Sequence, residues 1–285
     1  MTGPRRGGLI ALCTLLVVAL SVGATPAHAG GACPESGEAA AGPLLGGDQP
    51  ADFGAIPEAC GGTDVALRVR GALLVASSMP DYYGSIIASA MFRGRRRVGA
   101  RGWLSLAIDA LDYQYVNNAN LVSSGTSFGP PTLGYHYGLY AGPRTAVAIY
   151  GRVLLPLDTA RSNGVETGPE AGGTIRTRLR GRWALDGGLG FTVPIAVVAG
   201  QAHARLETTA LAEVWWAPRA TAAVFAGASV RAELTPDPAF IAAVPRVGGR
   251  MALPRRFWAA ALAEVPVAGR DRTDLIASLF LGFTP

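Results

Sequence analysis

Apolar and polar residues alternate along most of this 285-residue chain, and the alternation continues for ten or more residues at a time. Between positions 204 and 216, Leu206, Val214 and Trp216 fall on one parity, whereas Glu207 and Glu213 fall on the other. Successive side chains of a strand point to opposite faces, so this period predicts strands whose two faces meet different surroundings. Soluble sheets usually use about 5–6 residues a strand, whereas a tilted membrane strand needs roughly 9–11. The pattern therefore favours strands that cross a membrane.

The alternation predicts twelve strands, at 64–76, 83–93, 97–113, 132–142, 145–156, 173–181, 183–193, 203–216, 219–233, 241–251, 256–267 and 274–283. Every second connection is short and carries arginine, at 93–97, 143–144, 181–182, 218–219 and 254–256. The other connections are mostly longer and polar or irregular, at 115–131, 157–172, 194–201, 235–239 and 268–273. Short periplasmic turns and long external loops are typical of outer-membrane barrels, and an even strand number puts both termini in the periplasm. The predicted fold is all-β, an antiparallel up-and-down transmembrane barrel of about twelve strands over residues 64–285.

The last predicted strand carries a separate signal. Leu275, Leu279, Leu281 and Phe283 alternate with other residues up to an aromatic near the C-terminus, and Thr284 and Pro285 follow it. This resembles the terminal signature by which outer-membrane barrel proteins are recognised for assembly, except that the family pattern ends on the aromatic itself. The resemblance implies a Gram-negative outer membrane, its lipid and its barrel-assembly machinery as surroundings and partners. Aromatic residues near predicted strand ends also indicate interfacial girdles: Tyr82, Tyr83, Tyr113, Tyr115, Tyr135, Tyr137, Trp183, Trp215, Trp216, Phe257 and Trp258.

The N-terminal segment predicts export. Arg5 and Arg6 precede an uncharged apolar stretch, and a small-residue site ends at Ala29, so residues 1–29 are expected to be a secretory signal peptide. Residues 30–63 are expected to form an irregular periplasmic extension. Cys33 and Cys60 are the two cysteines left after the signal, and export favours a disulfide between them. Two free thiols or a metal site are the alternatives, and a metal site lacks nearby histidine.

Two other folds fit the sequence less well. A secreted sandwich of two antiparallel sheets also alternates, but it predicts connections of similar length on both sides. A helical membrane protein needs about 20 consecutive apolar residues, whereas the longest uncharged stretch, at 187–204, is interrupted by glycine and Pro194. Only 16% of the residues are charged, below the quarter or so that is usual for soluble domains. The composition therefore agrees with a chain whose outer surface meets lipid.

If the apolar faces meet lipid, the opposite faces line the interior. Every base of the chain is arginine, whose planar guanidinium pairs with carboxylate or phosphate through two hydrogen bonds. The expected pore-lining residues are Arg68, Arg70, Arg101, Asp109, His136, Arg152, Arg176, Arg178, Arg180, Asp186, Arg205, Glu207, Glu213, Arg231 and Glu233. Arg246, Arg250 and Glu264 also fall on the predicted inner faces of their strands. Cross-strand ion pairs are one interpretation of these charges. The other is an anion-favouring constriction, centred on Arg152, Arg176, Arg178, Arg180 and Arg205.

Enzymatic chemistry has little support in the sequence. Outer-membrane phospholipases of twelve strands carry a histidine with a serine two residues later, and neither His136 nor His203 has this neighbour. The mature chain contains no nucleophile elbow, phosphate loop or metal-ligand cluster. We therefore expect no enzyme activity, cofactor or metal. Nucleic acid is not an expected partner either, because the bases are spread at strand period in an exported chain.

One local pattern points toward transport. The segment 154–158 contains a proline at a strand end, and glycines at 172–173 precede a new strand. This is similar to outer-membrane transporters of aromatic-degradation pathways, and the resemblance implies transport of small organic molecules. The sequence thus predicts a narrow passive channel or small-solute transporter, which the residues 30–63 are placed to plug. The alternatives are a structural or adhesive barrel presenting the loops 115–131 and 157–172, or a secreted sandwich that acts as a binding module.

Overall fold

A computed structural model describes residues 59–60, 63–74, 82–118, 121–127, 131–155, 165–198, 201–219, 221–234, 241–267 and 275–284. The predicted signal peptide and almost all of the extension before the barrel lie outside these residues, so both assignments stay predictions. Cys60 is buried, Cys33 lies outside the described residues, and the disulfide between them likewise stays a prediction.

The described chain contains fifteen strands and one short 3₁₀ turn, Pro254–Arg256. The strands are β1 (Asp64–Leu74), β2 (Tyr82–Val98), β3 (Gly102–Asn118), β4 (Leu121–Ser127), β5 (Thr132–Ala141), β6 (Thr145–Leu154), β7 (Val165–Arg178), β8 (Trp183–Thr192), β9 (Ile195–Val198), β10 (Gln201–Ala204), β11 (Glu207–Arg219), β12 (Ala222–Glu233), β13 (Ile241–Ala252), β14 (Phe257–Glu264) and β15 (Leu275–Phe283). No helix in the described ranges is both long and apolar enough to cross a membrane.

Twelve of these strands form a closed barrel. Each pairs antiparallel with its neighbours, in the order β1, β2, β3, β5, β6, β7, β8, β11, β12, β13, β14 and β15. The last strand then pairs with the first, from Val65 opposite Phe283 to Leu73 opposite Leu275. The predicted twelve-stranded barrel is confirmed, and the secreted sandwich is wrong because closure leaves one continuous sheet. We call the end with the short turns the short-turn end and the opposite end the long-loop end.

The remaining strands extend the sheet at the long-loop end. β4 folds back on the last residues of β3, from Asp112 opposite Ser127 to Asn118 opposite Leu121. β9 and β10 form a small hairpin, and β9 also pairs with the start of β7 at Val165–Thr167. The predicted loops 115–131, 157–172 and 194–201 therefore contain strand as well as connection.

One predicted turn is wrong. β2 continues to Val98, so the arginine-rich segment 93–97 belongs to a strand and the turn comprises residues 99–101. Within β2, Phe92 is exposed on the outer face, whereas Arg93 and Arg95 are buried on the inner face. A run of charge predicts a turn when the surroundings are water, but the inner face of a barrel accepts the same charge within a strand.

The two faces of the barrel differ as the alternation predicts. Along β15, Leu275, Leu279 and Leu281 are exposed, whereas Ile276 and Phe280 are buried. Leu279 is 65% exposed, and large apolar residues are exposed in the same way around the barrel. So large an apolar surface is unfavourable in water and suits the hydrocarbon of a bilayer.

Apolar side chains also fill part of the interior at the short-turn end. Trp215, Phe225, Trp258 and Phe280 form one buried cluster there. The rings of Trp215 and Phe225 lie 4.4 Å apart between centroids. The prediction that Trp215 and Trp258 belong to the interfacial girdle is therefore wrong, because both point inward. Trp183, Trp216 and Phe257 are exposed on the outer face at this end, as predicted.

Candidate functional site

The interior of the barrel is the candidate site, and its first element is a buried ion pair between neighbouring strands. Arg152 of β6 lies opposite Glu170 of β7. The guanidinium donates from Nε to Glu170 Oε2 at 2.8 Å and from Nη2 to Oε1 at 2.9 Å. Tyr150 donates its hydroxyl to the same Oε1 at 2.8 Å. The two roles predicted for Arg152, a cross-strand ion pair and an anion-favouring constriction, both require an inward side chain. The structure places the side chain inward and in an ion pair with Glu170.

His136 is held inside the barrel by aromatic rings and a serine. Its ring stacks between Trp103, with centroids 5.3 Å apart, and Tyr150, with centroids 5.9 Å apart. Ser105 Oγ lies 2.9 Å from His136 Nε2. Only 2% of His136 is exposed, so the hydrogen bond and the stacking fix the ring in place and leave little of it open to a solute.

A second set of charged side chains lies along the inner face of the barrel, from β7 to β14. Arg176 Nη1 donates to Asp186 Oδ2 at 2.8 Å, and Asp186 lies opposite Glu213 on the next strand. Arg246 then contacts two carboxylates, Glu213 at 3.0 Å and Glu264 at 3.8 Å.

A glycine leaves the space in which the side chains of Glu213 and Arg246 meet. Gly227 lies between these two residues in the strand register. A Cβ atom at Gly227 would lie 2.8 Å from both Cα and Cγ of Glu213. The missing side chain therefore lets the Glu213 carboxylate reach across β12 to the guanidinium.

A third group of charges lies toward the long-loop end. Arg231 Nε donates to Glu207 Oε2 at 2.8 Å, and Glu233 is opposite Glu207 in the register. Arg205 Nη2 lies 4.0 Å from Glu207 Oε1, and its side chain is 46% exposed.

The largest concentration of arginine lies on β1, β2 and β13. We call Arg68, Arg70, Arg93, Arg95 and Arg250 the arginine wall. In the strand register Ala66 is opposite Arg93, and Arg68 is one inward position further along β1. Arg250 lies with its guanidinium 4.7 Å from the centre of the Trp258 ring.

One described carboxylate lies at this wall. Arg95 donates to Asp64 from Nε at 3.1 Å and from Nη2 at 2.7 Å. Arg93 and Arg250 also lie close enough to act electrostatically on the same carboxylate. Five guanidinium groups thus share this side of the interior with Asp64, and within the described residues Glu264 of β14 also faces inward between β13 and β1.

The anion-favouring patch predicted from the sequence is not one surface. Arg152 and Arg176 point inward but are held by Glu170 and Asp186. Arg178 and Arg180 are exposed at the short-turn end, and Arg205 lies at the long-loop end.

The other residues predicted to line the pore are partly inside the barrel and partly not. Arg68, Arg70, His136, Asp186, Glu207, Glu213, Arg231 and Glu233 are buried or half-buried on inward positions. Arg101 is exposed in the turn 99–101, so its predicted place in the interior is wrong. Asp109 lies in β3 opposite Met91, and its side chain is outside the described part of the structure.

Sequence reasoning missed Arg93, Arg95 and Asp64. The signal was present, because Arg93 and Arg95 continue the inward parity of Ser89 and Met91 along β2. The density of charge in this segment favoured a turn and concealed that parity.

The chain before β1 reaches the inner face near the short-turn end. Ala59 and Cys60 pack against Ala146, which lies at the start of β6 and on its inward parity. No cluster of three or more histidine, cysteine, aspartate or glutamate side chains suited to a metal ion occurs among the described residues.

Comparison with known proteins gives a fold. No protein-family model matches the sequence. No curated protein sequence matches it either. An outer membrane channel from Pseudomonas putida F1 superposes with a TM-score of 0.62 and 12% identity, over 83% of this chain and 99% of that chain. The translocator domain of the autotransporter NalP from Neisseria meningitidis gives 0.53 and 10%, over 79% and 88%. Both superpose on the barrel of this chain, so the likeness shows the fold, and the outer membrane stays the location that the barrel and its exposed apolar face predict. Since one neighbour is a channel and the other a translocator domain, function must be argued from the interior.

Proposed function

We propose that this protein is a narrow passive channel of the outer membrane and that it favours small anionic solutes. The observation that carries the proposal is the arginine wall on the inner face of a closed barrel. A concentration of one charge sign along a pore favours ions of the opposite sign. Guanidinium groups suit carboxylate and phosphate solutes in particular, because their fork of donors matches two oxygens at once.

The remaining interior supports a narrow rather than an open pore. Between β6 and β14, Arg152, Arg176 and Arg246 are held in ion pairs with Glu170, Asp186, Glu213 and Glu264. The aromatic cluster around Trp215 and Trp258 fills part of the short-turn end. A twelve-stranded barrel is intermediate between barrels filled by side chains and the open porins of 16–18 strands. We therefore expect low conductance, with the arginine wall as the passage.

Single-channel recording in a planar bilayer tests this proposal. The triple variant Arg68→Gln, Arg93→Gln, Arg250→Gln should lower the anion-to-cation permeability ratio several-fold, because it removes three of the five charges of the wall. The control is Arg178→Gln with Arg180→Gln, which removes exposed arginines from the short-turn end. At about 1 M salt the Debye length is near 3 Å, so exposed charges are screened and this control should keep the wild-type ratio.

Two results would contradict the proposal. An unchanged ratio in the triple variant would show that the wall does not select the solute. Absence of conductance in the mature chain, both with and without residues 30–58, would show that the barrel is not a channel. The second form is needed because Ala59 and Cys60 reach the inner face, and the segment before them is proposed to be a periplasmic extension.

The second candidate is a structural or adhesive barrel that transports nothing. The buried ion pairs and the aromatic cluster favour it, since both rigidify a barrel without leaving a path. It predicts a stably folded, membrane-embedded protein with no conductance in any form.

A further inference from the structure

The short-turn end carries a second concentration of arginine, and the arginines of this set are exposed in or beside the turns rather than buried in the interior. Each of the five short turns has at least one exposed arginine in it or directly beside it, and we call this set the arginine collar: Arg101, Arg144, Arg180, Arg219, Arg255 and Arg256. None of the five turns contains aspartate or glutamate. In the described part of the structure, no side-chain hydrogen bond or ion pair occupies these six guanidinium groups.

The collar runs around the barrel rather than along one side. Its turns join β2 to β3, β5 to β6, β7 to β8, β11 to β12 and β13 to β14. Five of the six strand boundaries at this end therefore carry positive charge, and the sixth is the boundary where β15 pairs with β1. Arg182 ties two of these turns together by donating to the carbonyl oxygen of Pro218. A partner that contacts all of the turns must surround the barrel.

Aromatic residues place the collar at the level of lipid headgroups. Trp183 and Trp216 are exposed on the outer face, stack with centroids 6.0 Å apart, and flank the turns that carry Arg180 and Arg219. Phe257 follows Arg256 directly and is also exposed. Exposed aromatics at one depth mark the boundary between hydrocarbon and headgroups. The turns that carry the arginines come directly before or after these aromatic residues along the chain, which puts the turns on the headgroup side of this boundary.

Backbone strain at one turn provides an independent observation. Arg255 and Arg256 have φ of 59° and 66°, and they are the described non-glycine residues with positive φ. Elsewhere at this end the left-handed positions are glycines, Gly99 and Gly181. Two successive left-handed residues in a hairpin turn strongly favour Asn-Gly, because a Cβ atom is unfavourable there. The chain keeps two arginines where uncharged residues would fold more easily, which indicates a role for their charge.

We propose that the arginine collar binds the phosphate groups of anionic phospholipids in the membrane leaflet at the short-turn end. Short turns of outer-membrane barrels face the periplasm, so this is the inner leaflet. Guanidinium groups bind phosphate oxygens through paired, charge-assisted hydrogen bonds. Lipid fits better than a soluble acidic protein, because lipids surround the barrel and meet the aromatic girdle. The inference rests on the barrel fold and not on the proposed channel.

Spin-labelled lipids test this inference. The folded mature chain is placed in phosphatidylcholine vesicles with spin-labelled phosphatidylglycerol or phosphatidylcholine, and electron paramagnetic resonance measures the lipid held at the protein surface. We expect selective association of phosphatidylglycerol, falling by up to about five-fold for each strongly engaged arginine removed. In the variant Arg144→Gln, Arg219→Gln, Arg255→Asn, Arg256→Gly the selectivity should approach that for phosphatidylcholine. This variant has the preferred residues in the strained turn, so it should fold at least as well as the wild type.

The control is Arg93→Gln with Arg250→Gln, which removes two charges from the arginine wall and should leave lipid selectivity unchanged. Selectivity that persists in the collar variant, or that falls equally in the control, overturns the inference. Sodium phosphate compared with sodium chloride at equal ionic strength separates bilayer lipid from free phosphate. If free phosphate abolishes the selectivity and chloride does not, the collar is a site for soluble phosphate and the lipid assignment is overturned.

Discussion

At the scale of single residues, arginine supplies the permanent cations of the interior, because the chain contains no lysine. Arg152 shows why this choice of base matters. Its guanidinium makes two parallel hydrogen bonds to Glu170 and also lies 5.8 Å from the centre of the Tyr150 ring. A lysine has one ammonium group and cannot make the planar two-point contact. Each partner satisfies the hydrogen-bonding groups of the other where water is excluded.

Removing one partner of this pair should destabilise the barrel strongly. In Glu170→Gln, the buried Arg152 charge loses its carboxylate, and we expect a loss of about 3–5 kcal/mol in the free energy of unfolding. Urea unfolding in lipid vesicles, followed by tryptophan fluorescence, measures this loss.

The matched control for Glu170→Gln is Arg205→Gln. The Arg205 side chain is 46% exposed and lies 4.0 Å from Glu207, which also accepts from Arg231, so the loss of Arg205 should cost at most about 1 kcal/mol. Equal unfolding midpoints for the two variants would contradict the importance of burial. The double variant Arg152→Met, Glu170→Leu should be more stable than Glu170→Gln, because no isolated charge is left behind.

At the scale of elements, the barrel makes room for large inward side chains by placing glycine on the adjacent strand. Tyr150 of β6 lies in one row of the register with Gly172 of β7 and Gly190 of β8. Phe225 lies opposite Gly248 in the same way, and Trp258 opposite Gly282. In each case the large side chain lies flat over a glycine of the neighbouring strand, which has no Cβ atom at that position. Glycine in these rows therefore serves side-chain packing rather than backbone freedom.

Adding one methyl group to such a row should disrupt it. A Cβ atom at Gly172 would lie 2.7 Å from the Tyr150 ring carbon Cε1 and equally close to its hydroxyl. Overpacking of this kind costs roughly 1–3 kcal/mol, so Gly172→Ala should lower the free energy of unfolding by that amount, measured by urea titration in vesicles. It should also weaken the Tyr150 bond to Glu170.

The control lies one residue further along the same strand. Gly173 faces outward, and the nearest atom to a Cβ there is the Ala148 carbonyl oxygen at 3.7 Å. Gly173→Ala should leave stability unchanged or raise it slightly, since glycine is unfavourable within a strand. A larger loss for Gly173→Ala than for Gly172→Ala would refute the packing argument.

At the scale of the whole molecule, the bilayer takes the place that a hydrophobic core has in a soluble protein. The apolar residues point outward on the barrel strands, and the ion pairs lie inside. Pairing of β1 with β15 satisfies the backbone N–H and C=O groups of both edge strands. Hydrocarbon requires this, because no water is available there to form hydrogen bonds with backbone groups. The same closure creates the enclosed space in which the arginine wall lies.

A charge on the outer face should test this inside-out arrangement. Leu279 is at the middle of β15 and exposed, so Leu279→Arg places a guanidinium near the bilayer midplane. The expected cost is about 2–4 kcal/mol in the free energy of unfolding from vesicles, against about 0–1 kcal/mol for Leu275→Arg near the strand end. Equal and small costs would indicate that this face does not meet lipid. Carbonate washing should leave the wild-type protein in the membrane fraction.

Much of this architecture follows from the sequence alone. The period of two fixes which face each residue takes, and the alternation of short and long connections fixes the strand number. Both are local properties, because a side chain's face depends only on parity along its own strand. The twelve strands, the apolar outer face of β15 and the inward direction of Arg152, Arg176 and Glu213 are therefore predictable from the order of residues along the chain.

Only the tertiary structure decided which charges meet. The pairing of Arg246 with both Glu213 and Glu264 depends on the register of strands that are distant in sequence, and on Gly227 between them. The segment 93–97 became strand because a barrel interior accepts charge that would otherwise indicate a solvated turn. Closure then brought β13 near β1 and β2, which placed Arg250 with Arg93 and Arg95 around Asp64. Register and closure are properties of the whole sheet, so the sequence shows the members of the arginine wall only as arginines at scattered positions of three strands.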